Sequence, residues 1–220
     1  MLYNAFFTSW PCLFTTCFEQ DTTLENSYKY PVLYDAGRRQ AYFNVHVFWR
    51  WIVLGLWQGL AAFFIPMLGL RGASVGEKPL EHWAMSTVSF TVIVHVVTFK
   101  LFVESQFWHW ISFGSAVASL VIYHLVIIVG SSNQFATVFQ PEAASVVQFI
   151  YSGPEPVFLM LFLPLVCLLP DLLYLFVSKV FFPSPADLIR RSERHGVPIY
   201  IEPQPVAQKE EKENYDEVEC

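Results

Sequence analysis

Long apolar runs alternate with short polar stretches along this chain. Four runs of about twenty residues are nearly free of charge: Trp49 to Leu68, Trp83 to Phe102, Trp110 to Val129 and Val157 to Val177. That is the length a helix needs to cross a hydrocarbon core of roughly 30 Å at 1.5 Å per residue. Residues 2–18 form a fifth run of another kind. It is apolar overall, but Asn4, Thr8, Ser9, Thr15 and Thr16 interrupt it and Pro11 stands in its middle. The pattern predicts an all-α membrane protein with five transmembrane helices, at about 2–18, 49–68, 83–102, 110–129 and 157–177. Trp49, Trp51, Trp83, Trp108 and Trp110 gather at the starts of three of the four clear runs, where amphipathic rings mark the headgroup level.

Composition agrees with this class. Hydrophobic residues make up 54% of 220 and charged residues only 15%, whereas a soluble domain carries roughly a quarter charged. The net charge of −6 comes largely from the last twenty residues, so it says little about partners, and no basic block suggests nucleic acid. Cys12, Cys17, Cys167 and Cys220 form no C-x-x-C pair and no other metal or disulfide spacing.

Lysine and arginine placement gives an orientation. Lys29, Arg38, Arg39 and Arg50 precede the second span, Lys100 flanks the turn before the fourth, and Lys179, Arg190, Arg191, Arg194, Lys209 and Lys212 follow the fifth. Only Arg71 and Lys78, of thirteen basic residues, lie on the other side. The basic side is expected to be cytoplasmic, with the 19–48 loop and the C-terminus inside. Residue 1 then falls outside, as in a chain whose upstream part is missing. Residues 30–49 mix aromatics with Gly37 and two arginines, which suits either a segment in the membrane interface or a solvated loop. Residues 192–220 read as an acidic cytoplasmic tail, disordered for want of apolar residues, after a membrane domain over 1–191.

No phosphate loop, zinc-protease motif or nucleophile elbow is present. His95 and His124 fall inside spans and read as neutral side chains bonded to a neighbouring helix. Gly55 with Gly59, Gly114 with Ala118 and Ser115 with Ser119 have the small-residue spacing of close helix contacts and are assigned to packing within the bundle. Asp171 in "LLPDLLY" is read as an interfacial anchor near a helix end. The opening run is more specific. Asn4, Thr8, Pro11 and Thr15 stand at i, i+4, i+7 and i+11, on one helical face. Pro11 frees the carbonyl of Phe7 on that face. The stripe is either a polar seam between helices or the wall of a polar path.

These residues resemble a known family. "YNAFFTSWP" followed by "FEQD", then "PVLYDAGRRQAYFN" before "FW", is similar to the type IV P-type ATPases, the phospholipid flippases; "LLPDLLY" and "FFPSPADLIRR" resemble the end of their tenth helix and the segment after it. The resemblance covers about residues 2–191. It implies that the five spans are helices six to ten, the C-terminal half of a P-type ATPase membrane domain. Asn4 and Thr8 would then bind substrate, lining the headgroup path of an ATP-driven translocase that moves phospholipid from the outer to the cytoplasmic leaflet. It implies a plasma, Golgi or endosomal membrane, and as partners the missing N-terminal part and the family's accessory β-subunit. Trp10 in place of a more usual leucine, and "GRRQ" in place of a shorter Gly-Gln, depart from the family pattern.

The complete family protein uses ATP and Mg2+; this chain holds no cofactor of its own, lacks the phosphorylated D-K-T-G-T loop and the nucleotide domain, and is expected to be inactive alone. The alternative is a free-standing five-span protein of structural or regulatory role that pairs with an intact flippase.

Overall fold

The computed structural model describes residues 8–20, 22–38, 42–72, 74–75, 78–79, 81–107, 109–130 and 146–195. Among these the chain forms nine helices: α1 (Ser9–Phe18), α2 (Leu24–Lys29), α3 (Val32–Arg38), α4 (Val45–Gly69), α5 (Glu81–Glu104), α6 (Trp110–Gly130), α7 (Val146–Ser152), α8 (Pro154–Phe181) and α9 (Pro185–His195). Between α4 and α5 a short antiparallel hairpin pairs Ser74–Val75 with Lys78–Pro79.

Four helices, α4, α5, α6 and α8, are long and apolar enough to cross a membrane. Their 25, 24, 21 and 28 residues correspond to lengths of about 30–40 Å at 1.5 Å per residue. They coincide with the four clear apolar runs and extend them by a few residues. The fifth expected span is helical over Ser9–Phe18; its expected start at residue 2 lies outside the described residues, as does the acidic tail beyond residue 195. Two connections that the apolar pattern left blank carry short helices, α2 and α3 after α1 and α7 before α8.

The chain divides into two compact units, residues 1–19 with 49–175 and residues 20–48 with 176–220. In the first, α8 buries one stripe: Pro156, Met160, Leu163, Pro164, Cys167, Leu168 and Asp171. These recur at the three- and four-residue steps of a single helical face. The stripe joins Ala61 and Ala62 of α4, Val88, Val92 and Val96 of α5, and Val146 and Ile150 of α7 in one apolar core. Outside the core the large side chains are apolar too. Phe63 and Phe64 on α4, Leu125 on α6 and Leu161 and Leu165 on α8 all stand exposed. Such a surface calls for hydrocarbon or another apolar protein surface around it. Threonines inside α5 are satisfied locally, since Thr87, Thr91 and Thr98 donate to the carbonyls of Trp83, Thr87 and Val94. Thr91 has spent its only proton, so the 2.8 Å contact with Tyr123 is a bond donated by the tyrosine.

In the second unit, α9 packs on α3 and buries Ile189. Its start is a reciprocal cap: the Ser184 hydroxyl donates to Asp187 at 2.6 Å, and the Asp187 amide donates back to Ser184 Oγ at 3.2 Å. Glu193 on α9 caps another helix. Its Oε1 accepts from the Thr23 amide at 3.1 Å, the Thr23 hydroxyl at 2.8 Å and Asn26 Nδ2 at 2.6 Å. Thr23 is the N-cap of α2. The carboxylate therefore satisfies donors at the start of a helix whose own N-cap side chain makes no cap bond. Tyr28, Tyr34, Tyr42 and Phe43 of this unit are exposed.

Candidate functional site

Helix α1 begins at Thr8, its N-cap, which is half-buried with φ −118° and ψ −33° and makes no side-chain cap bond. Asn4 and the Phe7 carbonyl lie outside the described residues. Three positions of the predicted stripe, Thr8, Pro11 and Thr15, lie among the described residues. Pro11 is fully buried and Thr15 half-buried, whereas Trp10, Cys12, Leu13, Thr16 and Cys17 are exposed. The Thr8–Pro11–Thr15 face therefore turns inward, onto α6 and α5, against which α1 packs. Thr16 turns outward and donates its hydroxyl to the Cys12 carbonyl of its own helix. Among the described residues, Thr8, Pro11 and Thr15 share the inward face.

The buried face of α6 is built largely from small residues. Ser112, Ala116 and Ser119 are buried along that helix, with Tyr123 one turn further on. Their spacing lets two backbones approach closely. Thr15 borders a cavity of about 10 Å³ shared with Ser105, His109, Ser112 and three phenylalanines, room for about one water molecule. The expected Gly114–Ala118 pairing does not form. Both residues are exposed, and a Cβ at Gly114 would meet nothing within 4 Å. The buried row is shifted by two residues, because burial follows the neighbouring helices α1 and α5 rather than the smallest side chain. Gly55 and Gly59 on α4 are likewise open, with no atom within 4 Å of either added Cβ, so among the described residues they take no part in packing.

The C-terminal end of α1 is fastened. Glu19 follows the last helical residue in an extended conformation (ψ 132°). Its Oε1 accepts from the Gln106 amide at 3.0 Å, in the turn between α5 and α6. Beside it the rings of Phe18 and His109 stack with centroids 5.1 Å apart and planes within 9°. His109 precedes α6, and its Nδ1 accepts from the Ile111 amide at 3.3 Å, which places the proton of the neutral ring on Nε2.

A second polar cluster was missed by sequence reasoning. Asp171 is not an interfacial anchor. It is buried at 7% exposure, its Oδ1 lies 3.1 Å from Lys100 Nζ, and its Oδ2 accepts from Gln58 Nε2 at 2.6 Å. The ammonium also sits 4.3 Å from the Trp51 ring centre, and the Arg50 guanidinium lies 4.2 Å over Tyr174. Three spanning helices thus share one ion pair, as a charge in hydrocarbon requires. Pro170 precedes the carboxylate and Pro164 lies further up α8; each frees a carbonyl of the preceding turn. The one signal available in sequence was a lysine and an aspartate inside spans otherwise free of charge.

The two intramembrane histidines differ. His124 Nδ1 meets the Tyr151 hydroxyl of α7 at 2.6 Å, a bond to a neighbouring helix as expected. His95 Nδ1 donates instead to the Thr91 carbonyl of its own helix at 2.8 Å, and the two rings are 5.3 Å apart. Among the described residues no three His, Cys, Asp or Glu side chains come together to hold a metal ion. The chemistry on offer is hydrogen bonding along a hydroxyl- and proline-lined face of α1, and, separately, a buried ion pair shared by α4, α5 and α8.

Comparison with known proteins gives this geometry a context. Residues 1–184 match the family model described as phospholipid-translocating P-type ATPase C-terminal. The chain is 28% identical over 192 residues to phospholipid-transporting ATPase IH of Homo sapiens, covering 86% of this chain and 17% of that protein. It is 26% identical over 205 residues to phospholipid-transporting ATPase IC of Xenopus tropicalis, covering 86% and 16%. With phospholipid-transporting ATPase 1 of Arabidopsis thaliana it shares 24% over 211 residues, covering 94% and 17%. The chain thus spans about one sixth of the length of the curated relatives it matches.

Proposed function

The chain belongs to the phospholipid-translocating P-type ATPase C-terminal family, and from that premise we propose that it supplies the last five membrane helices of an ATP-driven phospholipid translocase. In this reading lipid moves from the outer to the cytoplasmic leaflet, past the Asn4 and Thr8 face of α1. What carries it is the family match over residues 1–184; the polar face of α1 adds a candidate lining for the path, from its packed lower turns up to Thr8. Pro11 is buried and Thr8 and Thr15 are half-buried on one face, while Thr16 and both cysteines of the helix are exposed. A hydroxyl and a proline-freed carbonyl on an otherwise apolar helix suit a neutral or zwitterionic headgroup. A bare cation would call for a carboxylate on that face.

The energy source lies outside this chain. Phosphoryl transfer needs an acceptor group, a magnesium site and a nucleotide pocket; ATP and Mg2+ therefore act on the N-terminal part. The open Gly55–Gly59 face of α4 is assigned to helices of that part or of the accessory β-subunit. The basic loops are assigned to the cytoplasm.

Co-expression tests the reading. The chain, produced alone, is assayed for ATP hydrolysis and for flipping of fluorescent phospholipids, then produced together with residues up to the fifth helix of a phospholipid-transporting ATPase. Activity only in the second preparation is expected. Robust activity of the chain by itself would overturn the proposal.

A further inference from the structure

The C-terminal end of α1 is tied to the α5–α6 turn by two contacts that the lipid path does not use. Glu19 accepts the Gln106 amide at 3.0 Å. Phe18 stacks in parallel on His109 at 5.1 Å, and His109 is itself fixed as the cap of α6 through Ile111. One carboxylate and one ring pair thus connect three helices at a single end. Thr8 lies eleven residues away along α1, about 16 Å at 1.5 Å per residue, so neither contact reaches a headgroup bound there.

We infer that Glu19 and Phe18 are positioning residues for transport: they latch α1 to the α5–α6 turn, so that the helix bearing Thr8 shifts with α5 and α6 as one body. Sequence and geometry agree on why these residues serve. Glu19 follows the helix in an extended conformation, and its carboxylate reaches the α5–α6 turn, where it accepts the Gln106 amide. On the buried face of α6 the residues are small (Ser112, Ala116, Ser119), and the small cavity that Ser112 shares with Thr15 leaves the contact with α1 incompletely filled. Small side chains let the two backbones approach closely but offer few large ridges to fix their register. The latch supplies the register that the seam does not.

This inference rests on the proposed passage of lipid along α1, and its test separates the two. In the full chain in lipid nanodiscs, hydrogen exchange of the Gln106 amide is followed in wild type, Glu19→Ala and Glu19→Gln. The amide oxygen of glutamine still accepts the bond. Exchange about fivefold faster in Glu19→Ala, with Glu19→Gln near wild type, is expected for the loss of one hydrogen bond. Equal exchange in all three would overturn the latch. The same variants are then placed in a complete phospholipid-transporting ATPase carrying residues 2–191 in place of its own. Glu19→Ala should lower lipid-stimulated kcat several-fold at unchanged KM for lipid, with recovery in Glu19→Gln and a similar loss in Phe18→Ala. Unchanged kcat in Glu19→Ala would contradict positioning, and so would an equal loss in the two Glu19 variants, which would point to charge. A silent Asn4→Ala in the same background would remove the headgroup reading and leave the latch standing.

Discussion

Lys100 and Asp171 form a 3.1 Å ion pair between α5 and α8, with side chains only 14% and 8% exposed. A charge removed from water at this depth costs several kcal/mol unless it is paired. Gln58 completes the carboxylate, donating at 2.6 Å to its second oxygen. Asp171→Ala should therefore destabilise the bundle by about 3–5 kcal/mol by stranding the ammonium. The double change Lys100→Met with Asp171→Leu should recover most of that, measured as thermal stability in nanodiscs. A single mutant as stable as the parent would show that water reaches the pair.

Glu193 gives a pH dependence in the second unit. Burial alone would raise its carboxyl, but the hydrogen bonds from Asn26 and Thr23 and the nearby Arg190 outweigh it and hold the group below the usual carboxylate range. A folded value below the unfolded one means stability that is present above the unfolded value and lost as pH falls through the folded one. The protection factor of the Thr23 amide should therefore be constant near neutral pH. It should fall only below the usual carboxylate range, around pH 4 and lower. Glu193→Ala should show the low protection at every pH, reduced about fivefold as for a lost helix cap.

The proposed orientation is open to labelling. Cysteines placed at Arg38 and Arg190 in a cysteine-free background should resist an impermeant thiol reagent in sealed cells, and a cysteine at Ser132 should react. Reaction of Arg190→Cys before the membrane is opened would reverse the assignment.

The spans were legible because transfer of a helix into hydrocarbon depends on local composition, and α4, α6 and α8 carry apolar residues all round. That Thr8, Pro11 and Thr15 share a face was legible for a related reason: helical spacing fixes which residues lie together, whatever the neighbours. The direction of that face had to come from α6. The Lys100–Asp171 pair was not legible, because a hydropathy pattern tolerates one charge per span and cannot say which distant charge meets it. Gly55 and Gly59 show the same limit from the other side. A small-residue pair states that close approach is possible, and only the fold shows that α4 leaves it unused among the described residues. Helices as short as α2, α3 and α7 depend on caps and neighbours, such as Glu193 over Thr23, that no local window contains.

Contact between lipid and one face of α1 is the central claim. The most direct measurement compares Asn4→Ala with Thr16→Ala in a complete phospholipid-transporting ATPase carrying residues 2–191. Thr16 is exposed on another face of α1 and bonds only its own helix among the described residues, so Thr16→Ala should leave lipid-stimulated turnover nearly unchanged. Asn4→Ala should lower it about tenfold or more, the effect of losing a hydrogen bond to a charged headgroup worth roughly 1.5–3 kcal/mol. Equal effects at the two positions would contradict the claim and reduce the stripe to packing.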